Sequence, residues 1–188
     1  MAADLGALGR RLAQAMTARG FAAQAAALDR LRDLPGTGGS FPVLDHLDDA
    51  VARAAEEVDA ELAEALGAVA AAARWQQTPA YVAQPPDASF LDLYAHATLA
   101  GAEDVALGLV LLGPGVRYPA HHHPAEELYL PGGAIRWVHA APADPAPEPA
   151  GVLIHHEPWQ PHGMWTDDRA VLLTYVWTGD VGTSASFC

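Results

Sequence analysis

The spacing of apolar residues changes character near residue 75. Before that point, Leu5, Leu8, Leu12 and Met16 recur in steps of three and four, which predicts a helix that ends near Gly20. After it, short segments rich in Val, Leu, Tyr and Trp are separated by Gly and Pro. Short strands divided by turn residues are typical of an all-β sandwich or barrel. We therefore predict a helical N-terminal region, residues 1–75, packed on a β-barrel formed by residues 76–188.

Two further helices are predicted in the first region. One runs from Phe21 to Asp33 and is ended by Pro35-Gly36, after which Gly36 to Ser40 reads as a loop. The other is long, from about Leu44 to Arg74, with a stripe of Leu and Val at helical spacing. Gly67 is the expected position of a bend in this helix.

Six candidate strands follow in the second region, which is cut by Gly and Pro. They are Leu91–Thr98, Val105–Leu112, Glu126–Leu130, Ala134–His139, Gly151–Ile154 and Ala170–Thr178. Ala141 to Ala150 mixes Pro and Ala with acidic residues, which predicts an exposed loop between strands.

The segment Tyr118–Tyr129 carries the candidate chemistry. In it, His121, His123, Glu127 and Tyr129 are separated by even numbers of residues. Alternate side chains of a β-strand point to one face, so two imidazoles, a carboxylate and a phenol would share one space. Zinc and the first-row transition metals favour imidazole nitrogen and accept a carboxylate. The pattern indicates a metal site with a proton-transfer group beside it.

A fourth ligand is expected from a neighbouring strand. His162, between Pro161 and Gly163, is the preferred candidate, and His155 and His156 are the alternatives. The residues of opposite parity, Glu126 and His122, should point away from the site.

Composition restricts the class of partner. A net charge of −13 argues against nucleic acid and anionic membranes as partners. The chain has one cysteine, Cys188, and hence no internal disulfide framework, which favours a reducing cytoplasm. No apolar run approaches the roughly 18 residues of a membrane span. We expect a soluble, cytoplasmic protein.

A known motif underlies the histidine cluster. The pattern Gly115-x5-His121-x-His123-x3-Glu127 matches the first motif of the cupins, and Gly133 stands one residue short of the usual place of the next glycine. The chain resembles that family, whose members fold as double-stranded β-helix, or jelly-roll, barrels. His162 would be the histidine of the second cupin motif, although Thr166 stands where that motif usually has asparagine.

A closer resemblance is to the cupin-type dimethylsulfoniopropionate lyases. The shared pattern is Tyr118-Pro-x-His-x-His-x-x-x-Glu127-x-Tyr129, then Pro161-His162, then Tyr175-x-Trp177-Thr-Gly-Asp180. Members of this bacterial family also carry helices before a C-terminal cupin barrel. Cupins commonly pair, so the resemblance also implies a homodimer.

The resemblance implies cleavage of a sulfonium carboxylate to dimethyl sulfide and acrylate by β-elimination. One divalent metal ion (Zn, Fe, Mn, Ni or Co, which the sequence does not distinguish) would be held by His121, His123, Glu127 and His162. Tyr129 would be the base, with Tyr118 as reserve base or carboxylate-orienting group. The sulfonium would meet aromatic faces, for which Trp177, Trp165 and Tyr118 are the candidates, with Trp137 also available.

Other functions remain compatible with the same ligands. A cupin dioxygenase or isomerase could use the same four residues but would not require Tyr129. A non-enzymatic cupin that binds a small molecule is a further alternative, although no DNA-binding motif accompanies the barrel. A purely structural metal site is disfavoured, because closed structural zinc sites usually use cysteine. His46, His96 and His139 lie outside any motif and are expected to be structural.

Overall fold

The computed structural model describes residues 2–34, 37–140 and 144–188. Its first helix, α1 (Ala2–Ala18), confirms the prediction: Leu8, Leu12 and Met16 are fully or almost fully buried. Gly20 follows with a φ of +92°, a left-handed conformation that glycine adopts without steric cost. Pro35-Gly36, the predicted end of the second helix, lies outside the described residues.

The second helix is shorter than predicted. It forms α2 (Ala22–Ala27), tightens into a 3₁₀ turn at Leu28–Arg30, and gives way to a short strand, β1 (Arg32–Asp33). This strand pairs antiparallel with the end of a barrel strand, at Ala100 and Gly101. Sheet pairing therefore replaces the predicted last turn of helix.

The long predicted helix from Leu44 to Arg74 is wrong as a single element. It is a 3₁₀ turn (Pro42–His46) followed by α3 (Leu47–Glu57) and α4 (Ala60–Ala71). The chain breaks at Asp59, whose carboxylate accepts a hydrogen bond from the backbone N–H of Leu62 and caps α4. Gly67 lies inside α4, which continues through it. A Cβ there would lie 3.2 Å from Val51 Cγ1, so the glycine lets the two helices approach each other.

After a short helix, α5 (Pro79–Ala83), and a 3₁₀ turn (Phe90–Asp92), the chain is β. The strands are β2 (Tyr94–Gly101), β3 (Val105–Leu112), β4 (Arg117–His122), β5 (Glu126–Pro131), β6 (Ile135–Val138), β7 (Ala146–Glu148), β8 (Ile154–His156), β9 (His162–Trp165), β10 (Val171–Thr178) and β11 (Ser186–Phe187). The part of the predicted loop 141–150 that is described contains β7, which pairs with β6.

Two antiparallel sheets form the barrel. One has six strands in the order β1-β2-β3-β10-β5-β8, and the other has five in the order β11-β4-β9-β6-β7. The fold class is therefore the predicted cupin jelly roll preceded by helices. No helix in the described part of the chain is long and apolar enough to cross a membrane.

The six-stranded sheet is covered on both faces. Its outer face packs against the helices in one apolar cluster that includes Leu62, Leu66 and Leu109. Its inner face and the five-stranded sheet enclose a second cluster, around Trp137 and Met164. A strand buried on both faces has no polar side to show, which explains the continuous apolar sequence of β3.

Candidate metal centre and cavity

The predicted ligand segment is not one strand. β4 ends at His122 in the five-stranded sheet, and β5 begins at Glu126 in the six-stranded sheet, with His123 in the connection between them. The parity argument was therefore wrong in its premise. The chain crosses from one sheet to the other, and this crossing brings His121 and Glu127 to the same space.

Four buried side chains meet at this crossing. His121, His123 and His162 each offer a ring nitrogen, and these three atoms lie within 4.8 Å of one another. Glu127 Oε2 is 2.8 Å from His123 Nε2 and 3.1 Å from His162 Nε2. All four side chains are at most 2% exposed. His162 arrives on β9, in register with His121 of β4.

Backbone carbonyls orient the three imidazoles. The Nδ1–H groups of His121, His123 and His162 donate to the carbonyl oxygens of Pro119 (3.1 Å), Ala125 (3.1 Å) and Gln160 (2.9 Å). A carbonyl oxygen can only accept, so each Nδ1 carries a proton, which leaves Nε2 as the atom that can offer a lone pair to a metal ion. This is the orientation that metal-ligating histidines have in proteins.

The contacts of Glu127 fit a cation. His162 Nε2 is buried and has no hydrogen-bond partner among the described residues, although a carboxylate oxygen lies 3.1 Å away. The 2.8 Å contact between His123 Nε2 and the carboxylate requires a proton or a metal ion between the two lone pairs. Three nitrogens and one carboxylate form a donor set that suits several divalent transition metals.

The electrostatics of the cluster favour the protonation states in which its side chains can bind a metal ion. Burial, helped by the nearby His162, holds the pKa of His121 well below its ordinary value, so this imidazole is neutral. Burial alone would raise the pKa of Glu127, but the hydrogen bond with His123 and the nearness of His162 hold it well below the usual range. A neutral imidazole and an ionised carboxylate are the forms that bind metals.

The two alternative histidines lie elsewhere. His155 contacts Glu126 (2.9 Å), outside the cluster. His156 is fully buried and stacks on the His162 ring with centroids 4.1 Å apart, while its Nε2 accepts a hydrogen bond from Trp137 Nε1 at 2.8 Å. Of the three candidates for the fourth ligand, the structure brings His162 into the cluster.

Glu126 and His122, the residues of opposite parity, point away as predicted. Glu126 accepts hydrogen bonds from Gln24 and Thr178 at the surface of the barrel. His122 lies beside Cys188, with its Nδ1 3.5 Å from the sulfur.

A cavity of about 490 Å³ adjoins the cluster. His121 and Glu127 line it, together with Tyr118, Tyr129 and Trp177. Trp165 is not among the lining residues. Its ring lies under the guanidinium group of Arg117, 5.0 Å from the ring centroid, so the structure does not bring this predicted substrate-binding residue to the cavity.

The two predicted proton-transfer tyrosines are both buried. Tyr129 lies beside the His162 ring, with centroids 6.1 Å apart, and burial together with the Glu127 charge raises the pKa of its phenol well above the ordinary value. Tyr118 stacks on His121, with centroids 4.3 Å apart and planes 9° from parallel. The Tyr118 hydroxyl donates a hydrogen bond to the Tyr81 hydroxyl at 3.0 Å. The pKa of Tyr118 is raised well above its ordinary value, and burial is the main cause.

Trp177 contacts the cluster directly. Its Nε1–H donates to Glu127 Oε1 at 2.6 Å, and its ring centroid is 4.2 Å from that of His123. The two residues that share this hydrogen bond are opposite each other on β10 and β5. Trp177 thus orients the carboxylate and also presents a ring to the cavity.

Sequence reasoning missed several cavity residues. Tyr94, His96 and Thr98 alternate along β2, and all three line the cavity. His96 was expected to be structural. It lines the cavity, and burial lowers its pKa to about 4. The period-two pattern of β2 was the available signal, but the predicted strand began at Leu91, inside the preceding 3₁₀ turn.

Comparisons with known proteins show what the chain is similar to. Residues 14–173 match the model of the dimethylsulfoniopropionate lyase family. The dimethylsulfoniopropionate lyase DddQ of Ruegeria pomeroyi is 32% identical over 133 residues, which cover 66% of this chain and 64% of that protein. The alignment therefore spans a little less than two thirds of the length of the curated relative.

Solved structures extend the likeness over the whole chain. The crystal structure of the lyase DddQ from Ruegeria pomeroyi DSS-3 is 25% identical and gives a TM-score of 0.75, covering 100% of this chain and 97% of the other. A crystal structure from the set of the lyases RdDddP and RnDddQII shares the fold, with a TM-score of 0.69 at 20% identity, covering 96% of this chain and 99% of the other. Because the family model spans most of its length, this chain belongs to the dimethylsulfoniopropionate lyase family.

Proposed function

We propose that the protein is a metal-dependent lyase that cleaves dimethylsulfoniopropionate to dimethyl sulfide and acrylate. The observation that carries the proposal is the placement of a buried phenol, Tyr129, on the same cavity as the cluster of His121, His123, Glu127 and His162. Membership of the lyase family supports the substrate.

The reaction is a β-elimination. A base removes a proton from the carbon next to the carboxylate, and the electrons of that C–H bond form the new carbon–carbon double bond. The bond between the β carbon and the sulfonium sulfur breaks, and its electrons leave with dimethyl sulfide. Acrylate and one proton remain.

The base is Tyr129. Its phenol keeps its proton in the metal-free chain, because burial and the Glu127 charge both raise its pKa. A divalent metal ion held by the three histidines and Glu127 supplies positive charge, which favours the phenolate and the substrate carboxylate. Tyr129 is 3% exposed, so its proton transfer occurs away from bulk water.

Tyr118 has a supporting role. Its proton is directed to Tyr81, so its oxygen presents lone pairs to the cavity. This group is the reserve base, or it orients the substrate through its stacking on His121. Trp177 presents an aromatic face to the sulfonium, an attraction of about 0.5–2 kcal/mol.

Headspace gas analysis tests the proposal. Purified, metal-replete protein mixed with dimethylsulfoniopropionate should release dimethyl sulfide, and Tyr129→Phe should lower turnover by about 10²- to 10⁴-fold, the usual contribution of a general base. Tyr94→Phe is the matched control, since it removes a hydroxyl from the same cavity and should cost far less. Absence of gas from the metal-replete protein would overturn the lyase. Full turnover by Tyr129→Phe would be compatible with the lyase activity but would exclude Tyr129 as the base.

Metal dependence is tested separately. Chelation should abolish turnover, and zinc, iron, manganese, nickel and cobalt are then added back one at a time. Restoration by at least one of them is the expected result. Unchanged turnover of protein shown by elemental analysis to be metal-free would contradict the proposal.

A further inference from the structure

Three residues form a row across neighbouring strands of the six-stranded sheet. Tyr175 of β10 is opposite Gly108 of β3, which is opposite Thr98 of β2. The Tyr175 side chain crosses over the glycine, and its hydroxyl lies 3.0 Å from Thr98 Oγ1. The row therefore spans three neighbouring strands, of which β10 is distant in sequence from the other two.

Gly108 makes this crossing possible. A Cβ at that position would lie 2.3 Å from Tyr175 Cζ, 2.4 Å from its hydroxyl oxygen and 2.5 Å from the carbonyl oxygen of Ala97. These separations are far below van der Waals contact, so a larger residue would displace the ring. An aromatic ring lying over a strand glycine is a recognised way of covering the gap that the glycine leaves.

The contacts fix which part of Tyr175 a ligand meets. One face of the phenol end lies over Gly108, and the hydroxyl is held by Thr98. Tyr175 is 7% exposed and lines the cavity, so a ligand can meet only the part of the ring that Gly108 does not cover. The Trp177 ring stands beside it, with centroids 5.7 Å apart and planes at 51°. The two rings form a corner.

The side chains around this corner leave room for a cation, and Glu127 offsets part of the charge of a metal ion bound beside it. Glu127 is the one carboxylate among the described residues that line the cavity, and it is opposite Trp177 across the β5–β10 pair. None of the described lining residues is Lys or Arg. The Tyr175 phenol stays neutral, because burial raises its pKa. A cationic group in the corner would meet aromatic faces and no competing positive side chain.

We propose that Tyr175 is a specificity-determining residue whose ring face, held by Gly108 and Thr98, binds the dimethylsulfonium group together with Trp177. The inference rests on the proposed lyase function and extends it to the selection of a cationic over an uncharged β substituent. The proposal gives Tyr175 a binding role only, with its hydroxyl paired to Thr98.

Two unreactive probes test this selection. One is a propanoate with a trimethylammonium group on its β carbon, and the other is the same propanoate with an uncharged tert-butyl group of equal shape. The wild-type protein should bind the cationic probe more tightly in a calorimetric titration. Tyr175→Leu should lower this preference by about threefold to tenfold, the value of one cation–π contact.

Tyr175→Phe is the matched control, since it keeps the ring face and should keep most of the preference. Pentafluorophenylalanine at position 175 is a second variant, which preserves the shape of the ring but removes its negative face. It should behave like Tyr175→Leu even if the leucine variant folds poorly. If Tyr175 has a purely structural role, the ratio of the affinities for the cationic and uncharged probes should be the same in the fluorinated variant as in the wild type.

The two proposals fail in different ways. If the wild-type protein releases no dimethyl sulfide, the proposed lyase activity is wrong, while the ratio of the two probe affinities still tests the assignment of Tyr175. If gas is released but the ratio is the same in wild type and in the fluorinated variant, the assignment of Tyr175 is wrong. The assignment is also wrong if the wild-type protein binds neither probe or binds the two equally.

Discussion

The two faces of the six-stranded sheet use the same strands for different purposes. On β3, Leu107, Leu109 and Leu111 point to the helices and are fully buried, whereas Ala106 and Val110 line the cavity. Alternate residues of one strand thus serve either the helix-facing core or the candidate site.

The same division holds on the neighbouring strands. Leu172 and Val176 of β10 join the helix-facing cluster, and Tyr175 and Trp177 of the same strand line the cavity. The outer face contributes apolar burial, and the inner face carries the aromatic and titratable groups. A substitution on one face should therefore change one property and spare the other, which each of the following predictions tests.

The largest effect is expected on the outer face. Leu109→Ala removes a fully buried side chain from the helix-facing cluster and should lower the free energy of unfolding by about 2–5 kcal/mol. The KM of the folded fraction should stay unchanged. Urea titration followed by circular dichroism measures the first quantity, and headspace kinetics measures the second.

Val110→Ala is the matched change on the inner face. It removes fewer methyl groups from the core and widens the cavity, so we expect a smaller loss of stability and a change in KM. Equal shifts of KM in the two variants would show that the faces are not independent.

The division into faces also explains which elements the sequence predicts well. β3 was predicted with its observed bounds, because both of its faces are apolar and turn residues flank it. The helix from Leu44 to Arg74 was not, since its apolar stripe continues through Asp59, where a side-chain cap starts a new helix. Periodicity reports which residues are buried, but it does not reveal a change of axis between two helices that bury the same stripe.

The second prediction concerns a residue that supports the inner face. Trp177→Phe keeps a ring beside His123 but removes the hydrogen bond to Glu127 Oε1. Loss of a group that orients a metal ligand typically weakens metal affinity by about 10- to 100-fold. Competition with a chromophoric chelator measures the affinity, and thermal melting of the metal-free protein should change little.

Trp75→Phe is the corresponding control on the helical side. Trp75 is 4% exposed in the helix-facing cluster, and its Nε1–H donates to the carbonyl oxygen of Ala70 at 3.2 Å. Trp75→Phe should lower the melting temperature of the protein and leave its metal affinity unchanged. A comparable fall of affinity in both variants would contradict the separation of the faces.

The candidate site was predictable only where it is encoded locally. His121, His123, Glu127 and Tyr129 lie within nine residues of one another and span two sheets. The cupin motif marks the first three, and the pattern of the lyases adds Tyr129. Tyr175, by contrast, acquires its environment from Gly108 and Thr98, which lie on two other strands. Such a row depends on the strand register, and no spacing along the chain reports it.

The smallest effect is expected from His96, the one histidine of β2 that faces the cavity. Burial lowers its pKa to about 4, against about 6.5 in an unfolded chain. Between these values the unfolded chain binds more protons than the native one, so the stabilising contribution is complete above pH 6.5 and is lost as the pH falls toward 4. From pH 7.5 to 5.5, His96 should account for a loss of about 1 kcal/mol.

His96→Gln should accordingly flatten the dependence of the free energy of unfolding on pH over this interval. Urea titrations of the metal-free protein at both pH values measure it, and His46→Gln, in the 3₁₀ turn before α3, controls for the removal of a histidine from the helical side. Parallel profiles for wild type and His96→Gln would mean that His96 is hydrated in the cavity. The inner face would then accept a protonated imidazole on β2 without loss of stability. Water, and not the apolar packing found on the outer face, would surround that side chain.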